Sequence, residues 1–208
     1  MHLEELRSLP APGNHLCGVT WDGSHLWHSD GTTNMIYKLD PMTGEIGREL
    51  ACDDVRTCLA FDGTNLWQIA GSPKRIRVIR PSDGSVLEEV ALNANPDDIC
   101  ALYIEQERYW LGCKTTGIIE ERVCRDHHLL RHWQTNGGVH GLARTDNVLW
   151  YTDYASREMV GWEMNRNIKV AKFDLPGHPT GLCRGANNTF WYCNYTYRCL
   201  TQVEVKRQ

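Results

Sequence analysis

The amino-acid sequence predicts an all-β fold, a five-bladed β-propeller with four antiparallel strands in each blade. The first observation behind this is a recurring stretch. His15-Leu16-Cys17-Gly18-Val19-Thr20-Trp21-Asp22-Gly23 is rewritten as Val55-Arg56-Thr57-Cys58-Leu59-Ala60-Phe61-Asp62-Gly63, then as Asp98-Ile99-Cys100-Ala101-Leu102-Tyr103, Gly138-Val139-His140-Gly141-Leu142-Ala143 and His178-Pro179-Thr180-Gly181-Leu182-Cys183. The second is the Trp that follows each copy: Trp27, Trp67, Trp110, Trp150 and Trp191 stand 40, 43, 40 and 41 residues apart, a period that belongs to propellers, solenoids and arrays. The third is that each period holds four short strand patterns separated by turn residues, the content of one blade. A solenoid needs capping repeats at both ends, and none is visible.

In the first unit, residues 17–21 read as a strand, Asp22-Gly23 as a turn, 25–30 as the second strand, 35–39 as the third and 46–51 as the fourth. Between the last two, Asp40-Pro41-Met42-Thr43-Gly44 combines a Pro that presets φ with a Gly that supplies positive φ. The second unit repeats this plan with Asp62-Gly63, strands at 65–70, 75–80 and 86–92, and the turn Pro81-Ser82-Asp83-Gly84. The third predicts strands at 99–104, 108–113, 117–124 and 129–134, and the fourth at 140–144, 148–153, 158–163 and 168–175. The fifth has only three, at 180–184, 189–194 and 199–206, so its outer strand is missing. Residues 2–9 have the length and alternation to supply it, which closes the ring and removes an exposed sheet edge. The reading is one domain over residues 1–208.

Composition narrows the function. The chain is 41% hydrophobic and 23% charged, with a net charge of -4 and scattered Lys and Arg, so it has no general attraction for nucleic acid or anionic lipid. Its first residues, Met1-His2-Leu3-Glu4-Glu5-Leu6, carry acids where a signal peptide needs bases, and no run reaches membrane-spanning length. A cytoplasmic monomer is the expectation. The nine cysteines are an odd number and are expected as thiols; in an exported chain, Cys52 with Cys58 or Cys193 with Cys199 could close short loops.

The run Cys17-Gly18-Val19-Thr20-Trp21-Asp22-Gly23-Ser24-His25-Leu26-Trp27-His28-Ser29-Asp30-Gly31, with Ile36-Tyr37-Lys38-Leu39-Asp40 and Thr43-Gly44, resembles the opening blade of the plant and bacterial glutaminyl-peptide cyclotransferases. The stretch from Val139-His140-Gly141 through Leu149-Trp150-Tyr151-Thr152-Asp153 resembles a blade of the streptogramin lyases, in which a His-Gly-Ile element carries catalysis. The first resemblance implies a five-bladed propeller with a glutaminyl substrate handled by Gln and Glu from the first two blades. Cys17 and Thr57 stand in those two places here, and Cys100 stands where an aromatic residue is expected, so no useful cyclisation of glutaminyl peptides is expected.

Residues two apart on a strand point the same way. Superposing the five inner strands therefore gives five pairs at one channel mouth: His15 and Cys17, Val55 and Thr57, Asp98 and Cys100, Gly138 and His140, His178 and Thr180. Thiolate and imidazole suit a soft ion such as Zn or Cu. Cys17, Cys100 and His140 are the expected ligands, with His15, His178 and Asp98 as further ligands or supporting groups. A second tier, Asp30, Cys113, Asp153 and Asn194 with His28 and Tyr154 nearby, suits ligand contacts or turn chemistry equally. Three functions follow: a small-ligand or metal-binding propeller, a lyase-like or cyclotransferase-like enzyme with His140 as acid/base and His178 as partner, or a non-catalytic interaction propeller.

Overall fold

A computed structural model describes residues 1–92 and 95–206. The chain begins with β1 (His2–Pro10). Blade 1 is β2 (Leu16–Trp21), β3 (Leu26–Asp30), β4 (Met35–Leu39) and β5 (Ile46–Ala51); blade 2 is β6 (Val55–Phe61), β7 (Leu66–Ala70), β8 (Arg75–Ile79) and β9 (Val86–Ala91). Blade 3 is β10 (Ile99–Glu105), β11 (Arg108–Cys113), β12 (Ile118–Val123) and β13 (Leu129–Gln134). Blade 4 is β14 (Gly141–Thr145), β15 (Val148–Asp153), β16 (Glu158–Glu163) and β17 (Ile168–Asp174), and blade 5 holds β18 (Pro179–Arg184), β19 (Thr189–Asn194) and β20 (Cys199–Lys206). Each sheet is antiparallel, and β1 completes the fifth in the order β1-β20-β19-β18. The all-β, five-bladed, N-terminally closed ring expected from the repeat is the fold observed.

Strand ends move by a residue or two from the expected places, for local reasons. Gly117 takes φ +69° in a turn, so the third strand of blade 3 starts at Ile118. His140 precedes β14, although its N–H still donates to the Thr152 carbonyl at 2.9 Å.

The turn after the inner strand shows why the Asp-Gly and Trp repeat together. Asp22 Oδ1 accepts the Ser24 and His25 N–H groups at 2.9 and 2.7 Å, while its Oδ2 accepts Trp27 Nε1–H at 2.8 Å. Asp62 does the same for Thr64 and Asn65, both at 2.7 Å, and for Trp67 at 2.7 Å. One carboxylate thus closes the turn and satisfies the indole of the next strand. In blade 4, Thr145 Oγ1 answers Trp150 at 2.7 Å. In blade 3 the matching residue is Glu105, whose carboxylate goes to Arg144 at 2.5 Å, and the buried Trp110 Nε1 has no partner among the described residues.

The apolar core forms five radial seams, one between each pair of neighbouring blades. Leu16, Leu26, Ile36 and Leu39 of blade 1 are 0% exposed, and each such side chain contributes about 1.5–3 kcal/mol by leaving water. The repeating Trp residues all lie within these seams. No helix among the described residues is long and apolar enough to cross a membrane.

β1 pairs with β20 from His2 opposite Lys206 to Pro10 opposite Cys199, and buries Leu9 in the seam between blades 5 and 1. Deleting residues 1–9 removes nearly all these rungs and leaves β20 as an unpaired edge. Size-exclusion chromatography and thermal melting of the truncated chain should show self-association and a lower Tm; unchanged elution and melting would refute closure by β1.

Candidate functional site

The inner strand of each blade starts at the same end of the channel, and there the structure brings most of the expected ring together. Cys17 on β2, Thr57 on β6, Cys100 on β10, His140 just ahead of β14 and Thr180 on β18 line one cavity of about 260 Å³, joined by His15. Equivalent places on five blades converge because the strands are related by rotation about the channel axis.

Other expected members are turned elsewhere. Asp98 is buried, and its carboxylate accepts Thr115 N–H at 2.6 Å, Thr116 N–H at 3.2 Å and Thr116 Oγ1–H at 2.7 Å, closing the turn after β11. His178 hydrogen-bonds Thr196 Oγ1 through Nδ1 at 2.9 Å and lies outside the cavity wall. It stands behind Tyr154, whose ring is 4.6 Å from the His178 ring and 5.6 Å from that of His140. Tyr154 therefore separates the two imidazoles expected to act as partners.

The thiols are held protonated. Cys17 Sγ–H donates towards the carbonyls of His15 at 3.3 Å and Arg56 at 3.4 Å, and burial, reinforced by Asp30, pushes its pKa well above that of an ordinary thiol. Burial pushes Cys100 up to about 12 against the pull of Lys74 and Lys114. Among the described residues no three His, Cys, Asp or Glu side chains are grouped to hold a metal ion. All nine cysteines are free, so neither short disulfide is present.

Four residues complete the cavity beyond the expected ring: Leu16, Arg56, Tyr154 and Tyr195. The two tyrosines share one repeat position, the fourth residue past the blade Trp, where the other blades carry Gly31, Gly71 and Lys114. That shared offset was the signal available in the sequence. Their rings run in a chain with the imidazoles: His15 to Tyr195 at 5.7 Å, Tyr195 to Tyr154 at 6.0 Å and Tyr154 to His140 at 5.6 Å. Blade 2 lies opposite blades 4 and 5 in a ring of five, so Arg56 belongs to the side of the cavity across from the tyrosines. Its guanidinium pairs with Asp54 at 2.7 Å at the exposed edge.

Asp30, Asp153 and Asn194 of the second tier serve turns. Asp30 accepts N–H groups from His15, Thr32 and Thr33 at 2.6, 2.9 and 2.9 Å. Asp153 accepts that of Ala155 at 3.0 Å, and Asn194 that of Tyr197 at 3.3 Å.

His140 is the cavity's most informative titratable group. Its Nδ1 accepts the Tyr154 N–H at 3.2 Å, and only a nitrogen with a lone pair can do so, which puts the proton of the neutral ring on Nε2. Burial lowers its pKa, Lys114 adds to this, and Asp153 opposes it. In this tautomer His140 offers an N–H donor rather than a base. Because its folded pKa lies below the unfolded value near 6.5, its contribution to stability is complete above that value and is lost as pH falls from there through the folded pKa. NMR titration should place the His140 ring below the surface histidines. Between pH 7.5 and 5, the parent should lose more Tm than His140→Gln; equal losses would contradict the assignment.

No protein-family model and no curated protein sequence matches this chain. Its fold is similar to that of the glutaminyl cyclase of Myxococcus xanthus, with a TM-score of 0.81 at 12% identity over 97% of this chain and 95% of that one. It is also similar to a streptogramin B lyase structure, with a TM-score of 0.62 at 12% identity over 99% of this chain and 98% of the other. At that identity the likeness is one of fold, a β-propeller.

Proposed function

We propose that the channel-mouth cavity binds a small planar molecule carrying a carboxylate or similar acceptor group. The observation that carries this reading is the opposition of Tyr154 and Tyr195 to Arg56 across one cavity to which all five blades contribute. Aromatic faces take up a flat apolar body, and a guanidinium takes up an anion through paired N–H donors. The Nε2–H of His140 adds a neutral donor within the same wall. Size agrees: an apolar protein cavity of about 150 Å³ holds benzene, so one of about 260 Å³ suits a single ring with a polar substituent.

Two further features support binding over glutaminyl cyclisation. Among the described residues the cavity wall contains no Asp or Glu to move a substrate proton. The hydroxyl of Thr57, where the resemblance implies a Glu, is buried and without a hydrogen-bond partner among the described residues. An unpaired buried hydroxyl costs about 1–3 kcal/mol, and a ligand group reaching it removes that cost.

Benzoate and 4-hydroxybenzoate, with benzyl alcohol as the uncharged control, test the reading by calorimetry and thermal shift. The acids should bind and raise Tm, and the alcohol should bind about tenfold more weakly or not at all. Tyr154→Ala and Arg56→Gln should each weaken the acids by about tenfold. Failure of both acids to bind, or binding indifferent to both substitutions, overturns it.

A further inference from the structure

The channel-mouth cavity is the upper of two. Below it the inner strands come nearest, at a waist formed by Gly18, Cys58, Ala101, Gly141 and Gly181, of which only Cys58 carries a side chain with a polar atom. A Cβ at Gly18 would run into the backbone nitrogen of Leu59, and one at Gly141 into that of Leu182. A second cavity of about 170 Å³ opens beyond this waist, again with residues from all five blades in its wall. A ligand of the upper cavity that is longer than one ring therefore has its room outward, at the mouth.

That mouth is not alike all round. The fourth residue past the blade Trp is Tyr154 in blade 4 and Tyr195 in blade 5, both in the cavity wall, but it is Lys114 in blade 3. Lys114 is exposed, and its carbonyl oxygen fills the place a Cβ would need at Gly138, which sets its backbone beside the segment leading to His140. In blade 2 the same place is Gly71, and the lysine comes three residues later. Half-buried Lys74 reaches across to blade 3, where its Nζ donates to the carbonyls of Asp97 at 3.0 Å and Ile99 at 2.7 Å. Ile99 precedes Cys100 of the cavity wall, so this ammonium is anchored one residue from the wall.

Neither cation is neutralised there. Two carbonyls take up two of the three N–H donors of Lys74 and bring no charge. Among the described residues the lysines in ion pairs are Lys38, Lys172 and Lys206. The carboxylates of this side are otherwise engaged or turned away: Asp54 pairs with Arg56, Asp98 accepts from Thr115 and Thr116, and exposed Asp97 meets Lys74 through its carbonyl. Both ammoniums act on the wall and on each other. Burial raises the Cys100 pKa while Lys74 and Lys114 pull against it, and burial lowers that of Lys74 with Lys114 adding to the effect. Two cations without a carboxylate partner make a field that a bound anion relieves.

We propose, resting on the reading of this cavity as an aromatic-carboxylate site, that its ligand is an aromatic dicarboxylate. One carboxylate is directed to Arg56 and the second, at the mouth, to Lys74 and Lys114, with the ring against Tyr154 and Tyr195. A lysine ammonium acts as a point charge and demands no planar pairing, so the second group is selected by its charge.

Isophthalate and terephthalate are the probes, with benzoate and 3-(hydroxymethyl)benzoate as singly charged comparisons. Calorimetry on the full chain at low salt should show at least one dicarboxylate binding about tenfold or more tighter than both singly charged acids, and the advantage should shrink as salt is raised. Lys114→Met and Lys74→Met should each lower the ratio of dicarboxylate to benzoate affinity about threefold, and together should bring it close to unity. Lys114 is exposed, so its replacement keeps the fold, and a ratio of affinities is insensitive to a general loss of stability. The proposal is overturned if neither dicarboxylate exceeds the singly charged acids, or if the ratio is indifferent to both substitutions. Benzoate binding with no gain from a second carboxylate sinks this inference alone; failure of every acid to bind sinks the reading of the cavity with it.

Discussion

Five sheet edges meet on one axis, and the space between them governs this molecule. At Gly18 and Gly141 the backbone of the next blade occupies the place a Cβ would need, so the motif that recurs along the chain is first a condition for closing the ring. A methyl at either position has backbone, not a flexible side-chain end, in its way. The same crowding divides the channel into two short cavities. Only Cys58 extends a polar side-chain atom into the waist, and it does so without any charge.

Stability is distributed around that axis. Each seam is made by two blades and belongs to neither, so a blade alone would expose both faces. This is why closing the last sheet with β1 matters: the seam between blades 5 and 1 contains Leu9 from one end of the chain and Leu200 from the other. The Asp–Trp clasps in blades 1 and 2 tie turn formation to seam packing, since the carboxylate that closes the turn also satisfies the indole buried beside it.

Low dielectric decides the chemistry of the upper cavity. Cys17, Cys100 and His140 favour their neutral forms in place, because burial disfavours Cys thiolate and His imidazolium alike. What remains at the wall is aromatic surface, one guanidinium and neutral donors. The lower cavity sets half-buried Trp21, Phe61 and Tyr103 beside Arg184. One fold therefore presents two mouths, built from opposite ends of the same inner strands.

The sequence by itself determined the architecture. The Trp period, the Asp-Gly turns and the missing outer strand of the fifth unit led to five blades closed by residues 2–9, because repeat spacing encodes backbone placement and every unit must satisfy the same packing. It also placed Cys17, Thr57, Cys100, His140 and Thr180 around one cavity, since equivalent positions in a rotational repeat converge. Only the tertiary structure decided which side chains face that cavity and in what state. Asp98 shares the ring position of His15 and His178 but turns to Thr115 and Thr116, because three donors in its own blade lie nearer than anything across the channel. Arg56 went unnoticed because it stands where the other blades carry Leu16, Ile99, Val139 and Pro179, so repetition does not point to it; Tyr195 repeats in one other blade only, at Tyr154. Side-chain direction, protonation and partner choice depend on distances between blades, and those distances are set only when the ring closes.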